Sequence, residues 1–220
     1  MRTLTKLTLA ACIGLAVGIG QAWAGAKPDQ IQRLGQDLTP MGSERAGNAD
    51  GTIPEWTGGI TQPPAGYQPG DHHPNPFPED KPLFRIDGSN YQQYADKLSP
   101  GQLATLEKYP ETYYMDVYQS RRTASFPQRT YDMTAKNGAT ARLAENGEGV
   151  LDAAEGFPFP FPENAHELMW NHKLKYKGIG GVRYNTQIAP TADGNFSVTV
   201  IREEWLGLYY KEGVTIADVN

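Results

Sequence analysis

The sequence predicts an α+β fold that is mainly β, with antiparallel strands and a few helices. The first observation is a hairpin pattern at residues 181–205, where two stretches of alternating apolar and polar residues flank Asp193 and Gly194, a pair that predicts a turn of the primed type. A second is a helix start at Asn164, a common N-cap residue that is followed three positions later by Glu167. A third is the content of 24 Gly and 17 Pro, which favours loops and sheet edges.

The start of the chain has the features of a secretory signal peptide. Arg2 and Lys6 form a short basic region, and residues 7–20 form an apolar region that is too short for a membrane-spanning helix. The Ala-Trp-Ala sequence at 22–24 fits the rule for signal cleavage before Gly25. We therefore expect an exported periplasmic protein, with association to the outer membrane as a further option.

A lipid-anchored form is the alternative, because the Leu-Ala-Ala-Cys sequence at 9–12 resembles a lipoprotein cleavage motif. The apolar stretch before Cys12 has only about five residues, which is shorter than such signals usually have. Cleavage before Gly25 would remove this single cysteine of the chain. The mature protein would then have no disulfide, no thiol nucleophile and no cysteine metal ligand.

The charge of the mature chain limits its partners. Two of the 20 basic residues precede Gly25, so 18 basic residues would face 25 acidic ones, a net charge of −7. This balance argues against nucleic acid or an anionic membrane surface as the main partner.

Residues 25–110 predict an irregular and helical N-terminal region. Apolar residues recur at helical spacing over 28–38, and another short helix is expected at 91–98. Ser99 and Pro100 predict the start of a further helix, because Ser is a good cap and Pro suits the first helical position.

The sequence signals for a metal site or a catalytic site are weak. Residues 48–53 overlap a calcium-loop pattern, but the first and twelfth ligand positions fall on Ala46 and Thr57, which are not carboxylates, so an Asx turn is favoured. The histidine pair at 72–73 lies in a Pro-rich segment, and the glutamates at 203–204 would point to opposite faces of a strand. We therefore predict no metal, no cofactor and no catalytic residue.

Residues 111–220 predict an antiparallel sheet with a lid helix. The stretch 112–120 alternates as a strand, and 139–145 is a further candidate. Residues 208–210 indicate a strand after the hairpin. The basic pair at 121–122 is expected either in solvent or in contact with an anionic headgroup.

The stretch 156–176 begins with a ribbon that alternates Phe and Pro over 157–162, which we call the Phe-Pro ribbon. Its prolines lack the N–H that a central strand needs, and each one keeps the preceding residue out of the α region. On a flat ribbon, a period of two would place all the rings on one side. The rings are those of Phe157, Phe159 and Phe161.

The helix that follows Asn164 has two apolar faces, since successive residues are about 100° apart. One face carries Ala165, Leu168, Met169, His172 and Tyr176, and the other carries Trp170 and Leu174. Either the second face lies under a loop, or it points towards a ligand. If it points towards a ligand, the cavity candidates are Phe157, Phe159, Phe161, Met169, Trp170 and Leu174.

Four segments resemble an exported proteobacterial family that is catalogued as domain of unknown function 1329. They are residues 38–60, 147–149, the Phe-Pro ribbon and 169–172. The resemblance implies a fold similar to the periplasmic lipoprotein carrier LolA and its outer-membrane receptor LolB, an open antiparallel β-barrel with helices that cover a hydrophobic cavity. Family members are usually about twice as long, so this chain resembles the N-terminal half and a partial barrel or curved sheet is expected.

These features favour a periplasmic binding protein for a hydrophobic small molecule or acyl chain, with a carrier or delivery role in lipid or lipoprotein transport to the outer membrane. One alternative is a periplasmic enzyme or glycan-binding protein that uses Trp and Tyr as stacking platforms. Another is a scaffold that docks to an outer-membrane protein or an inner-membrane transporter through its sheet edges. Nucleic acid is not an expected partner.

Overall fold

The computed structural model of the protein describes residues 25–219. The predicted signal peptide, including Cys12, lies outside these residues. The helices are α1 (Pro28–Gln32), α2 (Pro100–Lys108), α3 (Gln128–Thr140), α4 (Ala165–Lys173) and α5 (Ile216–Val219). Short 3-10 helices cover Tyr91–Lys97, Glu145–Gly147 and Leu208–Tyr210. The strands are β1 (Phe84–Asp87), β2 (Tyr114–Val117), β3 (Arg142–Leu143), β4 (Val150–Leu151), β5 (Gly180–Pro190) and β6 (Phe196–Leu206).

The strands form three separate antiparallel pairs, β1 with β2, β3 with β4, and β5 with β6. The predicted α+β class with antiparallel sheets is therefore confirmed. The predicted predominance of β structure is wrong, because the first four strands have only two to four residues each and helices occupy much of the chain. Within residues 25–219 the pairs do not join into a single curved sheet or a closed barrel.

Local capping signals position the helices of the N-terminal region. The hydroxyl of Ser99 accepts from the backbone N–H of Gln102 at 3.3 Å, and the Gln102 amide oxygen accepts from the Ser99 N–H at 2.9 Å. This reciprocal pair confirms the predicted start of α2. The helix predicted at 28–38 is shorter than expected, since α1 ends at Gln32.

The turn-rich segment 38–60 is held against the chain by Arg122. Its guanidinium donates to the backbone carbonyls of Glu44, Arg45, Ala46 and Pro54 at 2.6–3.4 Å. Trp56 adds a bond from its indole N–H to the Ala124 carbonyl at 2.9 Å. Arg122 therefore fixes the backbone of the segment 38–60. The neighbouring Arg121 instead pairs with Asp80 at 2.6 Å.

The Asx turn predicted at Asp50 is confirmed, because its carboxylate accepts from the Thr52 N–H at 3.0 Å. Gly51 follows with a φ of +73°, which a glycine adopts at little cost.

The helix α3 is the central element of the fold, and the sequence patterns did not predict it. Its buried residues are Thr130, Thr134, Asn137 and Gly138. They face the segment 153–160, which is buried at every position except Phe157. The strand predicted at 139–145 is wrong at its beginning, since α3 continues to Thr140 and the strand covers only Arg142–Leu143.

The hairpin of β5 and β6 has 11 residues in each strand and confirms the predicted pairing. Ile188 lies opposite Val198, and Tyr184 lies opposite Arg202. A primed turn needs a positive φ at its first central residue. Within residues 191–195 only Gly194 has a positive φ, and the preceding Asp193 does not, so the turn is not of the primed type. The strand predicted at 208–210 is a 3-10 helix instead.

Candidate functional site

A buried polar cluster at the centre of α3 determines where the Phe-Pro ribbon lies. The side-chain amide of Asn137 donates to the carbonyls of Ala154, Glu155 and Phe157 at 2.8, 3.2 and 3.2 Å. Its oxygen accepts from the Ala154 N–H at 3.1 Å. One amide thus satisfies four backbone groups of a segment that has no strand partner there.

Two threonines extend this polar cluster along the same face of α3. The Thr134 hydroxyl donates to the Thr130 carbonyl at 2.8 Å and accepts from the Phe157 N–H at 3.1 Å. Thr130 donates to the carboxylate of Glu155 at 2.7 Å. We call Thr130, Thr134, Asn137 and Glu155 the α3 polar cluster.

An arginine and a tyrosine join the α3 polar cluster to the residues after the hairpin. Arg129 pairs with Glu155 at 3.1 Å and donates to the Tyr210 carbonyl at 3.3 Å. The Tyr210 hydroxyl donates to the carbonyls of Leu174 and Lys175 at 2.5 and 2.8 Å. Burial, together with the charge of Glu155, raises the pKa of Tyr210 to about 12. The residues after the hairpin are therefore tied to α3.

The three ribbon rings do not share one side. Phe159 is 7% exposed and packs in a small core with Ala141 and Ala153. Together with Phe161 it lines an open cleft of about 360 Å³, whereas Phe157 lines a different cleft of about 390 Å³. The rings separate because the backbone of 154–159 is held at irregular intervals by Asn137 and by Asn171, which bonds both the N–H and the carbonyl of Phe159 at 2.9 and 2.6 Å.

The helix α4 packs through a polar residue and an indole. Its cap is confirmed, because the Asn164 oxygen accepts from the Glu167 N–H at 3.0 Å. Asn171 is buried, and Trp170 donates from its indole N–H to the Gly147 carbonyl at 2.9 Å. Met169 is 56% exposed on the outer side, and Leu174 is half-buried. Among the described residues, the six cavity candidates therefore do not line one common cavity.

An exposed apolar surface lies on the hairpin, where the sequence pattern showed the alternation but did not identify a site. Seven large apolar side chains on one face of β5 and β6 are between 53% and 74% exposed. We call this surface the apolar hairpin face. Its members are Val182, Tyr184, Ile188, Phe196, Val198, Val200 and Leu206.

Other kinds of site are not assembled in the part of the chain that the structure describes. Residues 25–219 place no three His, Cys, Asp or Glu side chains where they could hold a metal ion. In the same range, no helix has the length and apolar character needed to cross a membrane.

Comparison with known proteins identifies the family. The family described as "Protein of unknown function (DUF1329)" matches residues 85–218. An uncharacterized protein of Pseudomonas aeruginosa, PA3922, is 36% identical over 203 residues, which cover 92% of this chain. The chain therefore belongs to the DUF1329 family, as the motifs predicted.

The match covers 45% of the Pseudomonas protein, so the chain spans less than half the length of this relative. No solved structure matches the chain.

Proposed function

We propose that this protein binds a hydrophobic or lipid-like ligand in the cell envelope, and that the apolar hairpin face forms one wall of the binding surface. The proposed role is that of a carrier or delivery factor in lipid or lipoprotein transport to the outer membrane. The signal-peptide pattern before Gly25 supports a periplasmic location for this role.

The exposure of the apolar hairpin face is the observation that carries the proposal. Contiguous apolar patches on soluble proteins commonly mark sites of interaction with proteins, membranes or ligands. Each strand of 11 residues is about 35 Å long, and apolar side chains lie along that length on both sides of one interruption, the ion pair of Arg202 and Glu204. An elongated apolar ligand is the chemistry that fits such a surface.

A LolA/LolB-like architecture would give this surface a second wall. In that architecture, which the family resemblance implies, the concave side of a curved sheet lines a hydrophobic cavity. The hairpin would supply two long strands of such a sheet, and the additional length of the Pseudomonas relative leaves room for more. The three separate strand pairs of residues 25–219 would then be a partial form of that sheet.

A docking role is the second candidate, and the strand edges favour it. Within the described residues, β5 and β6 pair only with each other, so each strand has one edge whose N–H and C=O groups have no strand partner. Such edges can pair with a strand of another chain. A scaffold that binds an envelope protein would use these edges instead of the apolar hairpin face.

Fatty-acid binding tests the first proposal. Dansyl-labelled undecanoic acid is titrated into the mature protein, and its fluorescence reports transfer into an apolar site. Val200→Asp places a charge in the middle of the apolar hairpin face, which we expect to weaken binding at least about tenfold because a buried charge is costly. The control is Thr199→Asp, since Thr199 neighbours Val200 in sequence but lies on the opposite face.

The control variant is expected to bind like the parent protein. Equal losses in both variants, or no binding by the parent, would overturn the lipid proposal. Stable complex formation with an envelope protein that survives Val200→Asp would support the docking role.

A further inference from the structure

We propose that the C-terminal end of α3 is a binding site for the α-ammonium group that signal cleavage would create at Gly25. This inference rests on the export that the proposed function includes. It goes beyond that function, because it makes the processed start of the chain a structural ligand of the core helix.

The start of the described chain lies against the last turn of α3. The N–H of Ala26 donates to the Gly138 carbonyl at 2.6 Å. A Cβ at Gly25 would lie 2.4 Å from the Ala139 carbonyl oxygen and 3.0 Å from that of Gly138. The bonds around a Cα are about 1.5 Å long, so the nitrogen of Gly25 lies within roughly 5 Å of the Ala139 oxygen.

The end of α3 is a suitable place for a positive charge. The last carbonyls of a helix have no partner within the helix and carry a partial negative charge. No basic side chain lies in the last turn of α3. The α-ammonium of Gly25 would supply the charge that this helix end lacks, and it could donate to the nearby Ala139 carbonyl.

The charged side chains around this cleft favour an ammonium group. Two acidic residues, Glu163 and Glu167, line the same cleft as Gly25, and the Glu167 carboxylate also accepts from the Glu163 N–H and the Asn164 amide at 2.7 and 2.8 Å. The guanidinium of Arg142 also lines it, but it pairs with Asp152 at 2.5 Å. Lys27 and Asp29, which follow on the same segment, carry opposite charges.

Glycine is the residue that this position allows. Any other side chain would overlap the backbone of Ala139, whose atoms cannot move without disturbing α3. Gly138 is equally close-packed, because a Cβ there would lie 2.9 Å from the Pro160 ring and 3.7 Å from Ile31 of α1. Seating the mature N-terminus would therefore tie α1 to the core helix and to the Phe-Pro ribbon.

Three forms of the protein test the role of the charge. They begin at Gly25 with a free amine, at Gly25 with an acetylated amine made by peptide ligation, and at Ala24 with a free amine. At pH 6 we expect the free-amine form at Gly25 to melt about 1–3 °C above the acetylated form. The Ala24 form should gain less, because its charge is displaced by about 3.8 Å.

The pH dependence has a definite sign. A helix C-terminus favours the protonated amine in the folded state, so the stabilisation is present at low pH and is lost as the ammonium deprotonates. An α-amino group ordinarily titrates near pH 8, and we expect the Tm difference between the free and acetylated forms to disappear by about pH 10. A difference that persists at pH 10 would contradict a charge effect.

A steric variant tests the fit of the glycine. Gly25→Ala in the mature protein should lower the Tm, whereas Gly101→Ala should be neutral or stabilising, because no atom lies within 4 Å of the added Cβ and the site is in α2. Equal melting of the free and acetylated forms at pH 6, with Gly25→Ala no worse than Gly101→Ala, would overturn the proposal.

The mature N-terminus is also checked directly by the intact mass of protein from the envelope fraction. A chain that begins elsewhere would overturn this proposal and leave fatty-acid binding by the apolar hairpin face unaffected. A chain that begins at Gly25 but shows no effect of acetylation would refute only the ammonium site.

Discussion

The α3 polar cluster and the apolar hairpin face reverse the usual relation between polarity and burial. Thr130, Thr134 and Asn137 have no exposed surface. Val200 on the hairpin is 74% exposed. Polar residues thus occupy a fully buried region of the described chain, and large apolar residues lie at its surface.

The difference shows that the two regions are ordered by different interactions. In the cluster, small side chains let the segment 153–160 approach α3 closely. Asn137 and Thr134 bond to its backbone, and Thr130 bonds to the Glu155 carboxylate. Such a network stabilises only when its bonds are complete, because an unpaired buried group is costly. On the hairpin, backbone ladder bonds maintain the strands, and the apolar surface remains available for contacts outside the described chain.

An isosteric change in the α3 polar cluster should have the largest effect. Asn137→Asp keeps the side-chain shape but replaces the donor with an oxygen that faces the carbonyls of Ala154, Glu155 and Phe157. We expect a loss of about 4–5 kcal/mol in the free energy of unfolding, measured by urea denaturation at pH 7.

The same change at Asn75 is the matched control for this experiment. The amide of Asn75 bonds only to the backbone of Phe77 within an exposed loop, so the variant should stay within about 0.5 kcal/mol of the parent. A small loss at Asn137 as well would mean that the polar cluster contributes little to stability.

A pair of apolar truncations compares the two regions directly. Phe159→Ala removes a 7% exposed ring from the core beside the polar cluster and should cost about 3–4 kcal/mol. Val200→Ala on the apolar hairpin face should cost less than about 0.5 kcal/mol in the free protein. Chemical denaturation of both variants measures the contrast. A cost at Val200 that equals the cost at Phe159 would show that the hairpin face is covered in solution.

The elements that the sequence predicted are those with local signals. The hairpin could be predicted because the alternation over 181–205 has the period of a strand, and the starts of α2 and α4 could be predicted from their capping residues. The predicted primed turn at Gly194 was wrong because an Asp-Gly pair is compatible with several turn types.

The helix α3 escaped prediction because its buried stripe is not hydrophobic. Thr130, Thr134, Asn137 and Gly138 recur at helical spacing, but a search for apolar periodicity does not detect them. A search for small and polar residues at the same spacing, after Pro127, could have found the helix. Its partners on 153–160 depend on tertiary contacts that no local pattern contains.

The side chains of the candidate cavity were also placed by tertiary contacts that local sequence patterns do not contain. The alternation of Phe and Pro correctly indicated an irregular extended segment, but the side on which each ring lies depends on Asn137 and Asn171. Trp170 faces inward because its indole N–H reaches the Gly147 carbonyl, a contact across 23 residues. The exposure of the apolar hairpin face likewise depends on what the rest of the fold leaves uncovered.

The smallest predicted effect concerns a buried hydroxyl near the polar cluster. The hydroxyl of Tyr209 is buried and has no hydrogen-bond partner among the described residues, while its ring packs edge-on against Tyr210 at 5.2 Å. Tyr209→Phe keeps the ring and removes the unsatisfied group, so we expect it to stabilise the protein by about 1 kcal/mol at pH 7. Tyr184→Phe on the hairpin, where the ring is 71% exposed, is the control and should change little.

The gain from Tyr209→Phe should increase at alkaline pH. Burial raises the pKa of Tyr209 well above the ordinary value of 10, so the folded protein keeps a proton that the unfolded chain releases. The stability that depends on this proton is complete below pH 10 and falls as the pH rises, by about 1.4 kcal/mol per pH unit for one such group. Urea denaturation between pH 9 and 11 should therefore show a shallower loss for Tyr209→Phe than for the parent and for Tyr184→Phe. Parallel curves for the three proteins would mean that the Tyr209 hydroxyl is hydrated in solution, and a destabilised Tyr209→Phe would mean that it has a partner.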